Sequence, residues 1–336
     1  MKGLGQLLSL FVGAAAASSE AVVYTNASYG IGGFAFPYPW AVHYYNFTSQ
    51  QQTLSMAYMD VQPAEGSESK GSIVLLHGKN FCGATWVETA KVLSAEGYRV
   101  LIPDQIGFCK SSKPAQYQFT LHQLASNTNG LLKSAGINNA TILGHSMGGM
   151  LSARYALMFP TQTTQLIMVN PLGLEDWQSL GVPYQSIDKS FQGELATTFQ
   201  SIKAYQQATY YVGTWSPDYD VWVNMLLSIY QGPLGRTFAF DMALSTDMVF
   251  TQPIVYELPN LKMRTALMIG DKDNTAIGKA WAPPEVVPLL GHYETLGKQV
   301  SARIPNSTLI NFPGLGHSPQ IQSPAGFHEA LLAWLT

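Results

Sequence analysis

An apolar run, Thr141-Ile142-Leu143, leads directly into Gly144-His145-Ser146-Met147-Gly148-Gly149, and a helix-compatible stretch from Met150 to Phe159 follows at once. This reads as strand, sharp turn and helix, with a serine at the apex. Glycines two before and two after the serine permit a bend at which a Cβ would clash. A turn of this kind lifts the serine hydroxyl above the end of a sheet, where another side chain can reach it. The reading requires a parallel sheet around it.

The rest of the chain supplies the alternation such a sheet needs. Ser55–Val61 alternates as a strand. Ser72–Leu76 is a continuous apolar run, as expected of a strand covered on both faces. Helix (Trp86–Glu96), strand (Arg99–Ile102) and helix (Thr120–Ser134) follow, the last with Thr120 and Gln123 spaced as a capping box. Strand Ala140–Leu143, helix Met147–Phe159 and strand Leu166–Val169 continue the rhythm. It breaks over residues 172–260, which are too long for a structureless loop. These residues are helix-compatible and rich in aromatics, including Trp177, Tyr205, Tyr210, Tyr211, Trp215, Tyr219, Trp222 and Tyr230. Strands resume at Thr265–Ile269 and Thr308–Phe312. A final helix, Phe327–Leu335, follows Ser323-Pro324, a cap with proline at the first helical position. The expected organisation is a doubly wound, mainly parallel α/β core over 20–171 and 261–336, with a helical lid over 172–260. Residues 18–50, aromatic and Pro/Gly-rich, read as a lead-in arm.

The N-terminus reads as a signal peptide over 1–19. Lys2 supplies the positive charge, Leu7–Ala17 a short apolar region, and Ala15-Ala16-Ala17 or its neighbours the cleavage site. Sequons at Asn26, Asn46, Asn139 and Asn306 permit glycosylation on a secretory route. A secreted location is the expectation. The only cysteines, Cys82 and Cys109, follow strand ends; one bridge or two separate buried thiols are both open. Neither has metal-ligand spacing, so no metal is expected. Charged residues are 12% of the chain and the net charge is −3, with no basic stripe, which argues against a nucleic-acid partner. No apolar stretch after the signal peptide is long enough for a membrane span.

A serine hydroxyl needs a base, and the base needs an orienting group. Ile269-Gly270-Asp271-Lys272-Asp273 places two acids just past a strand end, and Pro313-Gly314-Leu315-Gly316-His317 places a histidine past the last strand. The chain thus resembles the α/β-hydrolase superfamily in its capped, serine-nucleophile branch. The resemblance runs over roughly 55–336 and rests on His77-Gly78, Asp104-Gln105-Ile106-Gly107-Phe108, the Gly144–Gly148 elbow, Gly270-x-x-Asp273 and Gly316-His317. It implies an eight-stranded sheet with an inserted cap, Ser146 as nucleophile, His317 as base and Asp273 as the orienting acid. Asp271 is the rival acid, otherwise a solvated loop residue, and Glu175 or Asp176 a third candidate. The oxyanion donors are expected at the backbone N–H of Met147 and of Lys79, with Asn80 as an alternative; the Lys79 side chain reads as exposed.

His77 and His145 read as structural, and His292 and His328 as solvated surface residues. The function implied is a secreted serine hydrolase cleaving an ester or lactone of a small apolar molecule through an acyl-enzyme, with no cofactor. Amidases, carbon–carbon bond hydrolases and perhydrolases use the same three groups and remain alternatives, as does a non-catalytic ligand-binding homologue. The relatives with a carboxylate nucleophile are excluded by Ser146.

Overall fold

The computed structural model describes residues 29–336. The signal-peptide reading and the Asn26 sequon lie outside them. Among the described residues, eight strands form one sheet in the order β1-β2-β4-β3-β5-β6-β7-β8. Their ranges are β1 Val42–Ser49, β2 Gln52–Val61, β3 Ser72–Leu76, β4 Arg99–Pro103, β5 Ala140–His145, β6 Thr163–Val169, β7 Arg264–Gly270 and β8 Ser307–Phe312. β2 runs antiparallel to β1 and β4; every other pairing is parallel.

Strand alternation explains the two-faced core. On β3, Val74 and Leu76 belong to one buried cluster and Ile73 and Leu75 to the other. The helices α1 (Val87–Ala95) and α10 (Pro324–Leu335) pack on the second face through Trp86, Ala90, Leu93, Phe327, Leu331 and Trp334. Helices α2 (Leu121–Ser134), α3 (Met147–Met158) and α8 (Tyr293–Ser301) cover the first. Parallel strands buried on both sides lose the polar–apolar alternation, as β5 does over its whole length.

Chain order reverses at the sheet centre: β4 lies on one side of β3 and β5 on the other. The crevice beyond the carboxyl ends of β3 and β5 is therefore the topological switch point, where doubly wound sheets bind ligands. Over it lies a helical cap inserted between β6 and β7, comprising α4 (Ile187–Leu195), α5 (Phe199–Thr209), α6 (Asp220–Tyr230) and α7 (Gly235–Thr251). One-turn α9 (Pro319–Gln322) precedes α10.

Three local expectations are corrected. The lead-in arm contains β1, an edge strand whose residues are mostly exposed or half-buried, so no apolar alternation marked it. Only half of the capping box forms: Thr120 accepts from the Gln123 N–H, while the Gln123 side chain donates to Asn127 instead. Ser323 precedes Pro324 as expected but makes no side-chain capping bond.

Cys82 and Cys109 form a disulfide that ties the loop after β3 to the loop after β4 across 27 positions. Beside it, the Lys113 ammonium is buried and donates to the carbonyls of Gly32 and Cys109, both at 2.5 Å. Burial pushes this lysine down to about 8. Asp241 on α7 is also fully buried, and neither carboxylate oxygen has a hydrogen-bond partner among the described residues. Burial drives its carboxyl up to about 8, against a smaller opposing pull from Lys113.

Candidate active site

Ser146 sits between β5 and α3 with φ 60° and ψ −122°, a conformation that side chains rarely adopt. The flanking glycines show why the turn holds. A Cβ on Gly144 would lie 1.9 Å from the Gly148 carbonyl oxygen, and one on Gly148 would lie 2.2 Å from that of Leu76 on β3. The elbow is thus wedged against its neighbouring strand. A Cβ on Gly78, past β3, would meet the Ser146 Cβ at 3.0 Å, so the loop carrying Lys79 passes directly over the serine. The backbone of Lys79, next in the chain to Gly78, and that of Met147, next to Ser146, are thus both close to the serine.

His317 is fully buried, and its Nδ1–H donates to Asp273 Oδ2 at 2.6 Å. Asp273, 1% exposed, also accepts from the Thr275 N–H at 2.8 Å and from Asn170 Nδ2 at 2.9 Å. With Nδ1 committed to a carboxylate, the imidazole presents its Nε2 outward as an acceptor. Among the described residues Nε2 has no partner, and His317 and Ser146 line the same cavity. A base–nucleophile contact that is open without substrate tightens in the substrate complex.

The rival acids have other work. Asp271 accepts from the Gly314 N–H at 2.8 Å, so it shapes the loop bearing His317 and is not merely solvated. Glu175 accepts from the Gly291 N–H and the Trp177 indole, and burial raises its carboxyl. Asp176 caps the turn at Gln178 and Ser179 and accepts from Tyr256. Asn170, at the end of β6, was not singled out from the sequence. Its amide donates to Asp273 and to the Gly270 carbonyl, and its Oδ1 accepts from the Gly270 N–H. A strand-end asparagine carries no signal of this role until β6 and β7 are known to pair.

The structural histidines hold loops. His77 donates from Nδ1 to the Gly78 carbonyl and accepts from the Gln105 N–H at Nε2. His145 Nε2 donates to the His317 carbonyl at 2.8 Å. Burial, then the neighbouring His317, keeps His145 well below the ordinary imidazole range, hence neutral and fixed as a donor. His292 is exposed as expected. His328 is not: it is buried on α10 and pairs with Thr89 at 3.0 Å.

The cavity above Ser146 encloses about 240 Å³. Its apolar wall is Leu172, Ile202, Leu226, Val249 and Ile277; Tyr205, Tyr210 and Tyr230 are the cap aromatics that reach it. Tyr210 lies on the His317 ring at 4.9 Å, and its hydroxyl accepts from Asn80 at 3.0 Å. The remaining cap aromatics pack elsewhere; Tyr211 and Tyr219 stack on each other, and Trp215 meets both edge-on. The Lys79 side chain is not exposed: it lines the cavity and forms an ion pair with Glu194 at 2.7 Å. A second pocket of about 700 Å³ shares Glu194, Tyr205, Thr246, Thr275 and Ile277 with the first and opens outward past Trp281. Among the described residues, no cluster of three or more metal-ligating side chains occurs, and no helix is long and apolar enough to cross a membrane.

A family model for the α/β-hydrolase fold matches residues 71–211, from β3 through the elbow into the cap. A solved structure of a probable hydrolytic enzyme from Pseudomonas aeruginosa is 53% identical, covers 91% of this chain and 98% of its own, and superposes with a TM-score of 0.89. The chain belongs to the α/β-hydrolase family. Among curated relatives, a cis-3-alkyl-4-alkyloxetan-2-one decarboxylase of Xanthomonas campestris is 30% identical over 38% of this chain and 44% of its own. Lipase 1 of Psychrobacter immobilis is 31% identical over 42% of each. The chain thus spans less than half the length of these two curated relatives.

Proposed function

We propose that the protein is a secreted serine hydrolase that cleaves a carboxylic ester or lactone of a small molecule through an acyl-enzyme. The observation that carries this is the buried chain Asp273–His317 pointed into the same cavity as a serine on a strained elbow. In this reading Ser146 Oγ attacks the acyl carbon and its proton passes to His317 Nε2. The carbonyl oxygen takes the negative charge between the Lys79 and Met147 N–H groups. His317 then gives the proton to the departing alkoxide, leaving an acyl-serine. Water repeats the sequence, His317 removing its proton, and the carboxylic acid departs. Asp273 stays ionised and holds the imidazole in the tautomer that both half-reactions need.

The cavity next to Ser146 suits a small acyl group, and its five aliphatic walls suit an apolar chain. The disulfide, the apolar N-terminal stretch and the exposure of Asn46, Asn139 and Asn306 support the secretory reading. The test uses a short-chain p-nitrophenyl ester and a fluorophosphonate label. Wild type should hydrolyse the first and take up the second. Ser146→Ala and His317→Ala should remain folded and lose both, turnover falling by roughly 10⁴–10⁶. Labelling that persists in Ser146→Ala refutes the assignment.

A further inference from the structure

Glu194 lies in the last turn of α4, more than a hundred positions from Lys79, yet the two meet inside the reaction cavity. Both side chains are only 16% exposed. Each carboxylate oxygen has a partner: Oε1 accepts from Lys79 Nζ, and Oε2 accepts from the Tyr230 hydroxyl. Burial, and then the adjacent Glu194, hold that tyrosine protonated, so it is a donor. The ammonium is not fully used. It has three N–H donors, and among the described residues Glu194 is its one partner. Two donors therefore have no partner among the described residues, on a side chain that lines the cavity.

An apolar acyl chain entering here would strip water from those donors and offer nothing in return, a desolvation cost that polar groups in such sites impose on mismatched ligands. An acyl chain bearing an oxygen acceptor would replace the water. The position of that acceptor follows from the chain. The Lys79 backbone N–H faces the scissile oxygen in the proposed mechanism, and the ammonium stands at the end of the same residue's four-methylene stem. An acceptor a few bonds along the acyl chain, such as one at its 3-position, is then within reach of the ammonium. We infer that the Lys79–Glu194 pair is a specificity element that selects acyl groups carrying a neutral hydroxyl or keto oxygen a few bonds from the scissile carbonyl. Neutral is required because Glu194 repels an acyl carboxylate from the same place. This inference rests on the reading of the cavity as the acyl site.

The test uses binding, so it does not depend on turnover. Ser146→Ala protein is titrated by NMR with ethyl butanoate, ethyl 3-hydroxybutanoate and ethyl 3-oxobutanoate. At least one oxygenated ester should bind about tenfold to a hundredfold tighter than ethyl butanoate, the range for one hydrogen bond to a charged group. Adding Lys79→Met, which keeps the stem and removes the donors, should bring that ratio near one; Lys79→Arg should restore part of it. Adding Glu194→Gln instead should leave the ammonium unpaired and raise affinity for monoethyl succinate by tenfold or more. Equal binding of all three esters overturns the inference. So does a Lys79→Met protein in which every ester weakens alike, because that is the mark of a pair that only fastens the cap. Hydrolysis of the same esters by wild type is measured separately, so a failed catalytic assignment and a failed specificity element give different results.

Discussion

Asp241→Asn should stabilise this protein, and the gain should depend on pH. The Asp241 carboxyl is fully buried with both oxygens unpartnered, and burial raises it from the ordinary 3.8 to about 8. A carboxyl raised on folding keeps its proton in the native state while the unfolded chain gives it up. Stability is therefore whole below pH 3.8, is lost progressively as pH rises from there, and stops falling once pH passes the folded value near 8. At pH 7 the gap is about 3.2 pH units at about 1.36 kcal/mol each, or about 4 kcal/mol. Asparagine has the same shape and no charge to shed. Lys113 and Asp241 each pull on the other's titration, so the variant also loses the part of that pull that favours the charged lysine, which trims the gain. Urea unfolding of wild type and Asp241→Asn at pH 4, 5.5 and 7 measures the difference directly. The variant should gain up to about 4 kcal/mol at pH 7 and under about 1 kcal/mol at pH 4. A variant that is less stable, or a difference that does not change with pH, would show that Asp241 is ionised in the native state and satisfied by Lys113.

Asn170→Ala removes the amide that fixes Asp273, and should lower kcat about 10- to 100-fold with KM little changed in steady-state kinetics on a p-nitrophenyl ester; an unchanged kcat would make Asn170 a purely structural residue. Replacing Cys82 and Cys109 by alanine opens a link across 27 positions and should lower the unfolding free energy by about 3.5 kcal/mol, measured in urea without reductant. Gly148→Ala drives a Cβ to 2.2 Å from the Leu76 carbonyl oxygen and should cost about 3 kcal/mol or more, seen as a large fall in Tm or insolubility.

What was legible in the sequence is what backbone geometry demands locally. The elbow could be read because only glycine fits at 144 and 148, Asp273 because it stands just past the buried strand β7, and His317 because it stands past the last strand, β8, on a Gly/Pro loop. What was not legible depends on contacts between distant segments. The Lys79 side chain seemed free because nothing near it in sequence suggests that Glu194 descends onto it from α4. Asn170 acquires its role only from the β6–β7 register. β1 escaped because an edge strand with little buried face shows no apolar period, and α8 because its interior Gly297 looks like a helix breaker. In the folded chain that glycine lets α8 approach the sheet, where a Cβ would meet Ile269 and Leu309 at 3.2 Å.

The cap does not rest evenly on the core. At the C-terminal end of α5, the Thr209 carbonyl accepts from the His317 N–H, and a Cβ on Gly316 would strike the Tyr210 carbonyl oxygen at 2.4 Å. Backbone touches backbone there, beside His317, whereas α4 is fastened to the loop after β3 by one pair of long side chains. The two ends of the cap are therefore unequal as sites of change. Residues around α4 can be exchanged by evolution or by design to retune what enters, because their fastening is a matter of side-chain choice. The α5 end is shared architecture with the loop that bears His317, and a different cap grafted onto this core would have to keep it.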